Sequence, residues 1–369
     1  MKVLIVNPNL KPGGAERQLY NLGCYLLEQS IPVEYLLFKE EGGYLEDLKV
    51  KGAVVNVFPD SNKGRVGSVL DRMKYLHKLA KEKSITSVVS FLPTCNIFCE
   101  LAKMIYHPKW RLMTGARRCE SLAHEITSYK LHYWFYSGSD VVLSNSYLTK
   151  EDILKVNKLI NPDKIKVIYN YLKIDPRFYK NDYQPTQNGV RRVVVAANYG
   201  PTKNITSVIE ALTGLDNEKR SKIHIDWYGV IQTNSQENLY EWASDEIIKR
   251  NLQESIAIHD TTPTIYELMS NADAVGLFSY SEGFPNCICE GLYLGKTIVC
   301  TPVSDIPRML KDTKNIVCDD FSANSIQEAL LKLINKSDED MKENLIENHQ
   351  LAESLFSENN IKEIVNQLK

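Results

Sequence analysis

The segment Ser279-Tyr280-Ser281-Glu282-Gly283-Phe284-Pro285-Asn286-Cys287-Ile288-Cys289-Glu290-Gly291 sets two carboxylates, Glu282 and Glu290, on either side of seven residues. It follows an apolar, strand-like run, Ala274–Phe278, and leads into a helical pattern. Pro285 suits a first helical turn, because its missing N–H would have no partner there. The free N–H groups of such a turn, with the helix dipole, make an anion site. Glu282 falls in the loop and Glu290 about two turns into the helix. Carboxylates accept hydrogen bonds from adjacent hydroxyls, each worth roughly 1.5–3 kcal/mol when one partner is charged. The pattern suits a polyhydroxylated ligand that also carries an anionic group. A second pair of interest is Gly13-Gly14, after the first strand-like run. Paired glycines let a backbone approach a ligand closely and take positive φ. They are adjacent, with no third glycine at the right step, so they are not the dinucleotide fingerprint.

These residues must be held by strands and helices that the sequence spaces regularly. Val3–Val6 precedes a helical pattern with Ala15, Leu19, Leu22 and Leu26 on one face. Strand-like runs follow at Val33–Leu37, Val54–Val57, Ser87–Phe91, Leu112–Thr114, Val141–Ser144 and Lys166–Tyr169. They are rich in β-branched residues and several are nearly all apolar, as strands covered on both faces are. Such alternation predicts an α/β protein with parallel, doubly wound, Rossmann-like sheets. A polar stretch from Asn181 to Val190 reads as a linker. A second alternation then runs through Val193–Ala197, Ile223–Tyr228, Ile256–His259, Ala274–Phe278, Thr297–Cys300 and Ile316–Val317. The predicted domains are 1–180 and 191–345, with helical sequence over 346–369 packing back on the first domain. Two such domains are expected to face each other across a cleft. The loops after Val6, Ala197, Tyr228 and Phe278 fall at the carboxyl ends of strands, where open sheets bind ligands.

Size and composition agree. A chain of 369 residues suits two domains, and 43% hydrophobic with 24% charged residues is a globular composition. Its apolar runs are strand-length, far short of the ~20 residues of a membrane span. The apolar run in Met1-Lys2-Val3-Leu4-Ile5-Val6-Asn7-Pro8 is too short for a signal peptide, so a cytoplasmic protein is expected. The eight cysteines lack the Cys/His spacing of a zinc site and are expected as reduced, buried thiols. The formal charge of −2 is unevenly spread: residues 1–180 carry 27 Lys and Arg against 18 Asp and Glu, the rest 17 against 28. A basic first half points to an anionic ligand or surface. Within it, Arg65 to Lys83 combines Arg65, Arg72, Lys74, Lys78, Lys81 and Lys83 with an apolar stripe of Val69, Met73, Leu76 and Leu79. That is either a helix docked on the inner face of the membrane or one packed on its own sheet. No nucleic-acid partner is expected.

The spacing Glu282, seven residues, Glu290 resembles the E-x7-E motif of family 4 glycosyltransferases, which are retaining enzymes of GT-B fold. The likeness extends through Glu282-Gly283-Phe284-Pro285-Asn286 to Gly295-Lys296-Thr297-Ile298-Val299. It implies that Glu290 binds the nucleotide ribose, that Glu282 contacts the donor sugar, and that the backbone from Phe284 to Cys287 approaches sugar and diphosphate. Ala196-Ala197-Asn198-Tyr199-Gly200-Pro201-Thr202-Lys203-Asn204 is similar to the family's phosphate-binding loop. Lys203 falls on its lysine, whose point charge would neutralise the leaving diphosphate. The family's arginine is absent; Asn198 stands near its place, and Arg192 or Arg117 is a candidate substitute. Pro12-Gly13-Gly14-Ala15-Glu16-Arg17 resembles the acceptor-side loop, which makes Gly13, Gly14 and Arg17 acceptor-side residues and the first domain the acceptor domain. Arg117, in Gly115-Ala116-Arg117-Arg118, follows a strand where relatives carry a basic residue or histidine near the reacting centre; His124 lies close by. Asn145-Ser146 and Val167-Ile168-Tyr169-Asn170 match further landmarks.

The implied activity is a hexosyltransferase that moves a hexose or N-acetylhexosamine from a UDP-sugar to a lipid-linked glycan in surface polysaccharide assembly. The nucleotide-sugar is a co-substrate. No cofactor is expected, and no Asp-x-Asp follows a strand to hold a metal. Two alternatives stay open: a soluble transferase acting on a free sugar or glycan, and a non-catalytic nucleotide-sugar-binding subunit. A phosphorylase-like enzyme would need a pyridoxal phosphate lysine, which nothing in the sequence marks.

Overall fold

The computed structural model describes residues 1–11, 13–60, 64–117, 132–185, 189–231 and 239–369. They divide into two compact units, one made of 1–171 with 357–369, the other of 172–356.

Among the described residues, the first unit is built on a seven-stranded parallel sheet. Its strands are β1 (Val3–Asn7), β2 (Val33–Leu37), β3 (Val54–Val57), β4 (Ser87–Ser90), β5 (Arg111–Ala116), β6 (Val141–Ser144) and β7 (Ile165–Val167), in the order β3-β2-β1-β4-β5-β6-β7. β1, β2 and β4 are buried along their whole length, as the unbroken apolar runs require. Helix Gly14–Glu28 covers one face with Leu19, Leu22 and Leu26. Helix Arg65–Glu82 covers the other with Met73, Leu76 and Leu79. Its apolar stripe therefore belongs to the core, where each fully buried Leu contributes about 1.5–3 kcal/mol. Its outward row is Val66, Leu70, Lys74, Lys78 and Lys81.

The second unit has six described parallel strands. They are β8 (Arg191–Ala196), β9 (Ile223–Tyr228), β10 (Ile256–His259), β11 (Ala274–Leu277), β12 (Thr297–Cys300) and β13 (Ile316–Val317), in the order β10-β9-β8-β11-β12-β13. Both sheets reverse their strand order once, at β1/β4 and at β8/β11. The loops after β1, β8 and β11 thus leave the carboxyl edges at switch points, the places where open α/β sheets take ligands.

The chain changes unit at Tyr171, not within the polar stretch 181–190, and the expected boundary at 180 is corrected. The reason is side-chain anchoring of 172–185 in the second unit. Tyr179 stacks on His349 with ring centroids 3.6 Å apart, and Tyr183 is buried and donates to Asp273 at 2.6 Å. The expectation for 346–369 is likewise divided. Helix Asp338–Leu355 packs in the second unit, where Met341 and Leu345 join the core. Only helix Glu358–Asn366 returns to the first, burying Ile361, Ile364 and Val365 beside Leu19 and Leu22. There Ser87 Oγ donates to the Leu368 carbonyl at 2.8 Å and Arg111 Nε to that of Gln367 at 2.7 Å. The seven described cysteines are free and buried. Among the described residues no helix is long and apolar enough to cross a membrane.

Candidate active site

In the second unit the site is built from two loops. The first leaves β8. Trp227 Nε1 donates to the Ala197 carbonyl at 2.7 Å. Tyr199 is fully buried, its hydroxyl 2.9 and 2.6 Å from the carbonyls of Trp227 and His259 and 2.9 Å from the donating N–H of His259. Pinned at Tyr199, the chain closes a 3₁₀ turn over Pro201–Lys203 and enters helix Ile205–Gly214 through Asn204, at φ 60°. Asn tolerates that left-handed conformation, and the Asn204 amide donates to the Phe321 carbonyl at 3.0 Å.

The second loop leaves β11 and is tied to the first by the Tyr280 N–H, which donates to the Thr202 carbonyl at 2.8 Å. Thr301 and Ser304 brace it, their hydroxyls 2.7 Å from the carbonyls of Ser279 and Gly283. The two loops bring Lys203 Nζ to 2.5 Å from Glu282 Oε1, and Ser279 Oγ donates to the same oxygen at 2.7 Å. Both ends of the pair are mostly covered, with side-chain exposures of 24% and 15%.

Helix Asn286–Tyr293 begins directly after this loop. Pro285 is its cap residue, with an extended ψ of 100°, instead of lying within the first turn, and no side chain caps that end. Glu290 is the fifth helical residue, so it sits just over one turn in rather than two. It is buried and accepts from the Tyr266 hydroxyl at 3.2 Å. The Phe284 ring is buried against Phe356, edge-on at 6.0 Å, which leaves its backbone as the part that can face a ligand. Burial, and next the nearby charges of Glu282 and Glu290, push the Cys287 thiol well above its usual range, so it is neutral packing. The helix ends at Gly295, φ 69°, where a Cβ would meet the Leu345 carbonyl at 2.6 Å. Only glycine makes that turn into β12 without strain.

Beside the first loop a cavity of about 340 Å³ opens toward the segments that follow β9 and β10, lined by Ala197, Asn198, Lys203, Gly229, Thr262 and Ile265 among others. Gly229 matters to its shape, since a Cβ there would stand 2.3 Å from the Ala197 carbonyl. Asn198 Oδ1 accepts from the Val230 N–H at 3.3 Å, so its side chain ties the loops after β8 and β9 together. Lys203 is the one cation among the described lining residues. Arg192 does not replace the arginine. It is the second residue of β8, on the amino edge, and pairs in register with His224. That is roughly 15 Å of strand from the edge carrying Lys203.

The first unit carries the remaining predicted residues at its own carboxyl edge. Gly13 caps helix Gly14–Glu28 with φ −163°, and neither it nor Gly14 uses positive φ. The expected left-handed turn is therefore absent there; extended backbone suffices to start the helix. Arg17 lies in the first turn, its N–H bonded to the Gly13 carbonyl at 2.9 Å. Gln18 exchanges two hydrogen bonds of 3.0 Å with the Tyr171 backbone. Arg117 follows β5, packs over the Phe91 ring at 3.9 Å and donates from Nη1 to Asn170 Oδ1 at 2.6 Å. Its Nε and Nη2 are buried without a hydrogen-bond partner, and burial lowers its pKa. Arg118 and His124 lie outside the described residues. Among those described, no group of three or more His, Cys, Asp or Glu side chains is placed to hold a metal ion.

Two parallel-stranded Rossmann-like units, the second with this paired lysine and glutamate beside a helix start, define a GT-B glycosyltransferase. Residues 12–175 match the family model described as Glycosyltransferase Family 4, and residues 181–351 that of Glycosyl transferases group 1. The chain belongs to the family 4 glycosyltransferases. Solved structures agree on the fold. HepE of Anabaena, crystallised with UDP and glucose, is similar over 100% of this chain and 98% of its own, at TM-score 0.81 and 17% identity. A glycosyltransferase from Rickettsia africae matches over 100% and 97%, at TM-score 0.80 and 18% identity. TarM of S. aureus, in complex with fondaparinux, alpha-GlcNAc-glycerol and UDP, matches over the full length of both chains, at TM-score 0.77 and 13% identity. No curated protein matches the sequence.

Sequence reasoning found Lys203, Glu282 and Glu290 but not Tyr266, Ser279 or the Thr261-Thr262 side of the cavity. Thr261 and Thr262 follow β10, a recognisable strand, so the carboxyl-edge rule could have found them. Tyr266 carries no such mark.

Proposed function

We propose that this glycosyltransferase uses a UDP-sugar, retains the anomeric configuration, and transfers a hexose or N-acetylhexosamine to a lipid-linked glycan acceptor. The observation that carries the donor assignment is the meeting of Lys203 and Glu282, 2.5 Å apart, beside the uncapped start of helix Asn286–Tyr293. In this reading the diphosphate lies on that helix start with Lys203 against it. As the bond to the anomeric carbon breaks, charge builds on the leaving phosphate. Lys203, once released from Glu282, and the backbone N–H groups of the helix start stabilise that charge, which is worth most in a site shielded from water. Glu282 holds donor hydroxyls, Gly283 to Asn286 line the sugar, and Glu290, oriented by Tyr266, takes the ribose. UDP is preferred because the HepE and TarM structures were solved with UDP. Retention is what the E-x7-E resemblance implies.

Gly13, Gly14, Arg17 and Arg117, at the carboxyl edge of the first sheet, form the acceptor side. A lipid-linked acceptor suits the outward row Val66, Leu70, Lys74, Lys78 and Lys81, which offers aliphatic and cationic groups to an anionic bilayer surface. Lys203 supplies the charge that a metal would otherwise bring, so transfer proceeds without a cofactor or metal.

The test is release of nucleoside diphosphate from a panel of UDP- and GDP-sugars with EDTA present, with and without lipid extract. One donor turns over, and Lys203→Ala and Glu282→Ala each lose at least about tenfold, ~1.4 kcal/mol of barrier. Turnover that stops with EDTA, or survives both substitutions, overturns the mechanism. Full activity on free sugars without lipid replaces the acceptor assignment with the soluble one.

A further inference from the structure

Lys203 and Glu282 are each other's partner. One ammonium and one carboxylate, both mostly withdrawn from water, meet at 2.5 Å, and Ser279 and the Thr202–Tyr280 backbone bond hold the carboxylate and its loop in place. A diphosphate that takes Lys203 must break this pair. It then leaves the Glu282 carboxylate without its cation, in a covered position, beside a second anion. Breaking a covered pair by removing one partner is far more costly than breaking an exposed one. Lys203 is the one cation among the described residues lining the adjoining cavity, and Arg192 lies on the far edge of the sheet. A sugar ester of the same diphosphate changes the outcome. Its hydroxyls donate to Glu282 and replace the ammonium as the carboxylate's partner.

We propose that the Lys203–Glu282 pair is a built-in competitor for the donor site. It makes the enzyme discriminate an intact nucleotide-sugar from the nucleoside diphosphate that remains after transfer. Donor binding exchanges one ion pair for two sets of contacts, diphosphate to Lys203 and sugar hydroxyls to Glu282. Once the sugar has left, Glu282 has lost its hydroxyl partners. The ion pair re-forms and drives the diphosphate out. Glu282 thus has a second role, as a product-release residue acting through Lys203. This inference rests on the assignment of the donor site to the second unit.

The experiment is calorimetric titration of the full chain with UDP and with the UDP-sugar that turns over, for wild type, Glu282→Gln and Glu282→Asp. The Gln variant removes the competing charge but keeps the shape. It is expected to bind UDP about three- to tenfold more tightly than wild type while binding the UDP-sugar no better. The wild-type preference for the sugar ester shrinks accordingly. Glu282→Asp keeps the charge but is one methylene short of the 2.5 Å contact, so it moves UDP affinity in the same direction by less. A Glu282 that only attracts sugar predicts the opposite signature, with UDP affinity unchanged in both variants and sugar affinity alone reduced. Unchanged or weaker UDP binding in both variants overturns the inference. Failure of wild type to bind any nucleoside diphosphate or its sugar ester overturns the donor-site assignment instead, so the two failures are distinct.

Discussion

Glu100 makes the stability of the first unit depend on pH in a direction opposite to that of most carboxylates. It lies on helix Pro93–Tyr106, fully buried against the sheet. Oε1 accepts from Ser139 Oγ at 3.1 Å, and that hydroxyl also meets Thr114 Oγ1 at 2.7 Å. Oε2 is buried with no partner, and among the described residues no cation offsets the charge. Burial raises the acid from its ordinary 4.5 to about 8. The folded state therefore holds its proton over a range where the unfolded chain has released it. The contribution is fully present below pH ~4.5, falls as pH rises, and levels off once pH passes ~8. At about 1.36 kcal/mol per pH unit, the ionised acid costs the fold roughly 4–5 kcal/mol, an upper figure because buried sites relax. His132 acts on the acid side. Burial lowers it to about 4, so its contribution is lost as pH falls from ~6.5 to ~4. Between pH 6.5 and 8.5 Glu100 acts alone of the two. Urea denaturation of the full chain at half-unit pH steps, followed by near-UV signal and compared between wild type and Glu100→Gln, isolates the Glu100 contribution. Wild type should lose up to about 2 kcal/mol over that window, and Glu100→Gln, neutral at every pH, should lose far less. Equal slopes for wild type and Glu100→Gln would refute the assignment of a protonated Glu100.

Three further outcomes follow from the site. Tyr199→Phe removes the hydroxyl shared by Trp227 and His259; it should cost about 1–2 kcal/mol by thermal melting and lower turnover several-fold, because the Lys203 loop loses its anchor. Unchanged turnover would show that Trp227 alone fixes the loop. Gly229→Ala sets a methyl 2.3 Å from the Ala197 carbonyl, so the loop must shift at a cost of about 1–3 kcal/mol, seen as a donor KM raised at least tenfold with a smaller change in kcat. A lowered melting temperature with an unaltered KM would place the strain away from the cavity. Replacing Lys74, Lys78 and Lys81 together by Glu should abolish sedimentation with vesicles containing 30% anionic lipid, at about 1 kcal/mol per lysine, and leave activity on a detergent-dispersed acceptor intact. Retained binding would remove that face from the membrane reading.

The strands were legible because they are rich in β-branched residues and several are nearly all apolar, and all thirteen runs lie within two residues of the observed elements. The unit boundary was not. A polar stretch such as 181–190 looks like a linker, yet Tyr179 just before it and Tyr183 within it are held by His349 and Asp273, partners 170 and 90 residues away. The same holds inside the site. Lys203 and Glu282 could each be picked from its loop, but their ion pair spans 79 residues and exists because β8 and β11 lie side by side. Tyr266 donates to Glu290 across 24 residues from a short helix whose composition is unremarkable as surface sequence. What local sequence carries is the element and the loop. What it lacks is the pairing that only strand order supplies.

The helix Glu358–Asn366 has a consequence for how the chain is made. Ile361, Ile364, Val365 and Leu368 complete a core whose other walls, from Val3 to Ile168, leave the ribosome nearly two hundred residues sooner. Until they arrive, the first unit carries an open apolar slot, and Ser87 and Arg111 lack the carbonyls of Leu368 and Gln367. The second unit, continuous in sequence, can fold in the meantime. Early-made strands thus wait for late-made residues, and the interval is one in which chaperones or premature chain termination would act on the first unit and not on the second.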